Sequence, residues 1–171
     1  MAALKKILSG GDLRSIGKSD SVVLKVQTQS DFDNLFKCLF HKDRLVVMRA
    51  ADAIEKITLN NTQYLAIHKK EIINMSLVAK DKELMWHLAL LIPRLDLNKQ
   101  EFGNSWDILT KWAKDKKNSR IVRVNSIQGL FEMLKKKNEL EKDFKLTLTE
   151  LETENIPSIN ARIRKLKKAI R

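Results

Sequence analysis

The sequence predicts an all-α chain, a short right-handed α-solenoid of about four helix pairs plus an N-terminal helix. Three observations carry that expectation. Residues 46–57, 84–95 and 122–133 resemble one another at a constant offset of 38 residues. In each, small or apolar residues fill the first, fifth, eighth, ninth and twelfth positions, the spacing of a buried helical stripe. Only five Gly and two Pro occur in 171 residues, too few for the many turns of a β-rich fold. Capping residues also precede the apolar segments at intervals that suit two helices per repeat.

Residues 1–28 read as a leader and cap. A short helix is followed by turns around Ser9-Gly10-Gly11-Asp12 and Gly17-Lys18-Ser19-Asp20. Asp20 or Ser21 then caps a second short helix through Val22, Val23, Leu24 and Val26. Gly17-Lys18-Ser19 looks like the end of a phosphate-binding loop, but the earlier glycine would fall at Asp12 and no strand precedes it. A nucleotide site is excluded there.

The first repeat, 29–58, opens with Ser30 before an outer helix whose first turn holds Asp31 and Asp33, acidic where the helix dipole favours it. Phe32, Leu35, Phe36, Leu39 and Phe40 form its apolar face, and Asp43 caps an inner helix over 44–58. In the second repeat, 62–95, an outer helix over 62–79 turns Tyr64, Ile67, Ile72, Met75 and Leu77 inward. Asp81 caps its inner helix, 83–95, which Pro93 bends or ends. The third repeat, 98–136, starts near Asn98, buries Phe102, Trp106, Leu109 and Trp112, and has an inner helix over 120–136 capped by Asn118 or Ser119. The last, 138–171, is a capping repeat. Its outer helix, 138–153, is acidic; its inner helix follows Pro157, a residue suited to a first turn, and carries the stripe Ile159, Ile163, Leu166 and Ile170.

Apolar residues at 43% and charged residues at 32% suit one globular domain over 1–171. The lone Cys38 lies in an apolar stretch, which predicts a buried thiol and no disulfide framework. No Cys/His cluster has ligand spacing, so neither a metal nor a cofactor is expected. No run approaches the roughly 20 apolar residues that span a bilayer, and no export signal opens the chain. The expected setting is cytoplasmic, without a membrane partner. The net charge of +12 is uneven: residues 1–110 hold 16 basic and 13 acidic side chains, a balance of +3, whereas residues 111–171 hold 17 and 8, a balance of +9. Such an excess suits an acidic partner.

The pair Val122-Arg123 and the alanine-rich run Arg49-Ala50-Ala51-Asp52-Ala53-Ile54 resemble HEAT repeats, of the armadillo-like α-solenoid class. Ser9-Gly10-Gly11-Asp12-Leu13-Arg14-Ser15-Ile16-Gly17 and Met48-Arg49-Ala50-Ala51-Asp52 also resemble small bacterial HEAT-repeat proteins. The resemblance implies stacked helical hairpins and supplies no activity. More distantly the chain resembles HEAT-like alkylpurine DNA glycosylases; that resemblance would assign Trp86, Trp106, Asp107 and Trp112 to a damaged nucleotide.

If inner helices stack in register, equivalent polar positions line up along the concave face. The strip so defined contains Arg49, Asp52, Lys56, His87, Arg94, Asn125, Gln128, Arg162 and Lys165. Arginines there would offer bidentate contacts to phosphates or carboxylates. The competing reading is a structural network, with Arg49 pairing Asp52 and His87 joining repeats. No Ser or Cys has the context of a nucleophile, and the tryptophans have core spacing. Lys114-Asp115-Lys116-Lys117 and Lys135-Lys136-Lys137 read as solvated loop ends that could together follow a phosphate backbone. The basic terminal helix is either an interaction surface or neutralised by the acidic helix before it. The expected function is non-catalytic binding or scaffolding through the basic concave surface, with an acidic protein or nucleic acid as partner; the alternative is a nucleic-acid-directed enzyme resembling the glycosylases.

Overall fold

The computed structural model describes residues 2–10 and 19–170. The turns expected over 11–18, including Gly17-Lys18, lie outside the described residues, as do Met1 and Arg171. Among the described residues there are ten α-helices linked by loops and 3-10 turns, and no strand. The chain divides into two compact units, Met1–Lys69 and Lys70–Arg171. The division falls inside the segment expected as the second repeat.

The first unit contains α1 (Ala2–Leu8), α2 (Ser19–Val23), α3 (Gln29–Phe36) and α4 (Arg44–Ile57), with 3-10 turns at Lys37–Phe40 and Thr62–His68. The cap of α3 is Thr28, not Ser30. Thr28 Oγ1 accepts from the Asp31 amide at 3.2 Å while Asp31 Oδ2 accepts from the Thr28 amide at 3.1 Å. Asp31 stands three residues after Thr28, the separation at which these reciprocal bonds close, so Thr28 wins the cap. The Thr28 hydroxyl also holds the Asp31 carboxyl below its ordinary range. Asp43 caps α4 as expected, accepting from the Leu45 amide at 2.9 Å. On α4, Val46, Ala50, Ala53, Ile54 and Ile57 are buried, and α1, α2 and α3 pack on that helix. Each fully buried Val or Ile contributes about 1.5–3 kcal/mol.

Thr62–His68 is a 3-10 stretch, where the sequence predicts the first half of an outer α-helix. Three residues per turn changes which side chains face inward. Leu65 is buried, whereas Ile67, expected inside, is 63% exposed. At the end of this stretch His68 Nε2 lies 2.8 Å from Asp33 Oδ1, and its ring stacks on Phe36 with centroids 3.8 Å apart. Gln29 Nε2 donates to the same carboxylate at 2.8 Å, and Gln29 with His68 holds Asp33 below the usual carboxylate range.

The second unit contains α5 (Lys69–Val78), which begins on the last residue of the first, α6 (Lys82–Leu91), α7 (Lys99–Lys114), α8 (Arg120–Leu134), α9 (Glu141–Glu152) and α10 (Pro157–Ile170). On α5, Ile72 and Met75 are buried but Leu77, expected inside, is 64% exposed. Five residues on from Ile72, it projects from the other side of the helix. Asp81 occupies the N-cap position of α6 without a side-chain cap bond. Pro93, which has no amide hydrogen to donate, sits where α6 gives way to a 3-10 turn over Ile92–Arg94. Asn98 and Glu101 form the reciprocal cap of α7, and Ser119 caps α8. Asn155, at φ 53°, takes the left-handed conformation that Asn tolerates and turns the chain from α9 into α10.

In this unit α8 is the hub, packed against α6, α7, α9 and α10, while α9 packs on both α7 and α10. Thus α6, α8 and α10 form one layer and α7 and α9 a second, the arrangement the 38-residue offset requires. Leu88, Leu109, Ile127, Leu130, Met133, Phe144, Leu148 and Ile163 fill the space between the layers without exposure.

Candidate binding surface

Side-chain hydrogen bonds in the second unit join neighbours about one repeat apart. Asn125 Nδ2 on α8 donates to the Trp86 carbonyl on α6 at 3.2 Å, 39 residues away. Trp106 Nε1 on α7 donates to Asp143 Oδ2 on α9 at 2.8 Å, 37 residues away. Arg162 on α10 donates to Gln128 Oε1 on α8, whose amide nitrogen donates onward to Glu132 at 2.7 Å. A polar group taken out of water costs least when it is paired, so these bonds favour one register of the stack.

Three of the nine strip residues fall in the first unit. Arg49 is 2% exposed; its guanidinium donates to the carbonyls of Leu8, at 2.8 Å, and Gly10 at the C-terminal end of α1. A cation there satisfies carbonyls that a helix end leaves without partners. Asp52 and Lys56 are together: Lys56 Nζ lies 2.8 Å from Asp52 and 2.6 Å from Asp20, and Ser19 Oγ donates to Asp52 at 2.6 Å. Burial opposes the Lys56 charge, but its hydrogen bonds to Asp20 and Asp52 outweigh that and raise the ammonium above the ordinary lysine range.

Six fall in the second unit. His87 is 5% exposed, its ring set edgewise to Trp86 at 5.5 Å. Arg94 is half-buried in the 3-10 turn after α6. Asn125, Gln128 and Arg162 are half-buried in the bonds just given, and Lys165 is exposed. Arg162, Gln128 and Asn125 therefore act as ties between adjacent helices, and Lys165 is the member of the set turned to solvent on α10.

The lysine run 135–137 is engaged locally. Lys135 reaches Glu132 at 2.8 Å and lies 4.7 Å from the Phe131 ring centroid. Lys136 donates to the Leu95 carbonyl at 3.3 Å, and Lys137 lies 4.4 Å from the Phe102 ring.

The basic helix α10 is different, because the acidic side chains of the preceding segment are directed elsewhere. Glu154 accepts from Arg123 on α8 at 2.8 Å, Glu150 pairs with Lys114 on α7, Glu141 pairs with Lys145 on α9 itself, and Asp143 takes the Trp106 N–H. Glu152 alone of these reaches α10, at Lys167, 2.6 Å away. Arg164, Lys165 and Lys168 are exposed and make no ion pair among the described residues. Arg164 and Lys168 were absent from the strip, although the charge run that holds them is visible in the sequence.

Arg123 was also absent from it. Its Nε donates to the Ala113 carbonyl at the end of α7, 2.7 Å away, and its second arm holds Glu154. That bond keeps the Glu154 carboxyl below its ordinary range. The signal was the Val122-Arg123 pair. Trp106 and Trp112 are 5% and 7% exposed and serve the core, Trp86 is half-buried, and Asp107 is exposed.

Stacked helical hairpins tied at one-repeat spacing define a repeat protein of the α-solenoid class. The model of the HEAT repeat domain family matches residues 3–170, and the chain belongs to that family. HEAT repeats as a class mediate protein interactions and are generally non-catalytic, so the chain is of the interaction-module type. No curated protein and no solved structure matches it. No described helix is long and apolar enough to cross a membrane.

Proposed function

We propose that this chain is a non-catalytic binding module in which the second unit presents a basic helix face, centred on α10, to an acidic macromolecule. The observation that supports the reading is the uncompensated charge of Arg164, Lys165 and Lys168. Of the acidic side chains before the helix, Glu154, Glu150 and Glu141 are held by Arg123, Lys114 and Lys145, and Glu152 is taken by Lys167. Three exposed cations on one helix, with hydrophobic anchoring by Ile159, Ile163 and Leu166 beneath, form a rigid charged surface. Carboxylates or phosphates approaching it meet little intramolecular competition. Arg164 can engage either in a bidentate manner, and the two lysines act as point charges.

The test is titration of the protein with a labelled polyglutamate and with single-stranded and duplex oligonucleotides over a range of salt. Binding is expected at low salt. Replacing Arg164, Lys165 and Lys168 by Glu should abolish it. If the oligonucleotide is the better ligand, three phosphate contacts predict a slope of log affinity on log salt near about −2 to −3. A protein that binds neither polymer at low salt, or whose triple variant binds as the parent does, would overturn the proposal.

A further inference from the structure

A second feature of the same unit lies apart from α10. The C-terminal end of α5 and its following loop, α6, and the C-terminal end of α7 with its following loop enclose a cleft of about 400 Å³. Its inner wall is apolar: Met85 and Trp112, 6% and 7% exposed, and the half-buried Ile108. Its rim is cationic: Lys80 and Lys111 are exposed and make no ion pair among the described residues. The rim carboxylate, Asp115, accepts from the Lys117 amide at 2.9 Å and so belongs to the turn after α7. Asn118, also on the rim, donates to the Trp112 carbonyl at 3.1 Å. Asp115 keeps its charge, so the rim sets two ammonium groups against one carboxylate and its balance is positive. Leu77, 64% exposed, forms an apolar lip, and Val78 beside it is 73% exposed.

We infer that this cleft docks a short acidic peptide segment of a partner protein, inserting one bulky apolar side chain against Met85 and Trp112 while flanking carboxylates meet Lys80 and Lys111. The volume suits one large side chain and the adjoining backbone, and lies within the ordinary range for ligand sites of about 300–1,000 Å³. Apolar walls disfavour a bare inorganic anion, which would lose its hydration there without replacement donors. They also disfavour a nucleic-acid strand, whose phosphates would have to lie against Leu77, Met85 and Ile108. An apolar anchor flanked by carboxylates satisfies both halves of the site: the anchor covers Leu77 and the wall, and the carboxylates neutralise the rim. The site is built without α10, so it stands or falls independently of the function proposed above.

The probe is a fluorescein-labelled peptide, Glu-Asp-Asp-Leu-Phe-Glu-Asp, titrated with the full chain and followed by anisotropy, with Trp emission recorded on the unlabelled form. Saturable binding with a change in Trp emission is expected. The double variant Lys80→Glu, Lys111→Glu should weaken binding by roughly tenfold or more, as should Leu77→Asp. Trp112→Phe should retain much of the binding and lose the emission change. Replacing Leu and Phe of the peptide by Ser should abolish binding, and the triple charge reversal on α10 should leave it unaltered. The substituted lysines and Leu77 are exposed, and far-UV circular dichroism checks that these variants keep their helices. No binding of the probe, equal binding by the serine peptide, or binding indifferent to Lys80 and Lys111 would overturn the inference. Loss of peptide binding in the α10 variant alone would assign the peptide to α10 and overturn it too.

Discussion

Gly129, in the middle of α8, offers the sharpest test of the stacked-helix geometry. A Cβ built on it would overlap the Ala89 backbone carbonyl of α6, touch Leu109 Cδ1 of α7 at 3.0 Å and Pro93 Cγ at 3.4 Å. Ordinary carbon–oxygen approaches are about 3.3–3.6 Å, so α8 must move away from α6 to admit one methyl group. Gly103, in α7, has nothing within 4 Å of the equivalent atom. Both glycines lie inside helices, where Ala gains about 0.5–1 kcal/mol over Gly. At Gly103 that gain stands alone, and Gly103→Ala should stabilise the protein by roughly that amount. At Gly129 it is set against overpacking, typically about 1–3 kcal/mol, and the cost should lie near the upper end because the obstacle is backbone. The net expectation for Gly129→Ala is about 2 kcal/mol of destabilisation, hence a difference of about 3 kcal/mol between the two variants. Urea unfolding followed by circular dichroism reads this directly. With a slope of about 2 kcal/mol/M, the Gly129→Ala midpoint should fall by about 1 M and the Gly103→Ala midpoint should rise slightly. Equal midpoints for the two variants would refute close packing of α8 on α6.

Arg123 and Glu154 make a second prediction, on acid stability. The Arg123 hydrogen bond holds the folded Glu154 carboxyl below its ordinary value of 4.5. A depressed folded value contributes stability fully above about 4.5, and that contribution fades as pH falls through the lower folded value. Glu154→Gln should therefore flatten the acid limb of a plot of urea midpoint against pH; parallel curves for parent and variant would contradict this. Arg123→Ala, which strips partners from both Glu154 and the Ala113 carbonyl, should cost about 3–5 kcal/mol at neutral pH. Cys38 is fully buried, and burial pushes its thiol above the ordinary range. Iodoacetamide should label it slowly in the folded protein and rapidly in urea, the labelled fraction tracking unfolding; fast labelling without denaturant would show that α3 and its 3-10 extension are open.

The helical class, the repeat offset and most helix starts were legible because they rest on short-range chemistry. Asp43, Asn98 and Ser119 cap helices through bonds to amides two or three residues away, and Pro93 interrupts a helix through its own missing N–H. Local competition was harder to read. Thr28 displaced Ser30 because Asp31 reaches back to it, and the 3-10 stretch over Thr62–His68 exchanged Leu65 for Ile67 in the core.

What the linear chain determined by itself was therefore the period, the apolar stripes and the positive balance of its last third. The tertiary structure decided how each polar side chain is used. Arg49 faces carbonyls from a helix about 40 residues earlier, and Arg162 answers Gln128 on the neighbouring helix. The charge of α10 stays largely uncompensated because Glu150 of α9 and Glu154 just after it meet α7 and α8, and Glu152 alone reaches α10, at Lys167. Lys80 and Lys111 share one cleft although 31 residues separate them. The physical reason is common to all four cases: a charged side chain acts on whatever folding brings within a few ångströms, and those groups are not its neighbours in the chain.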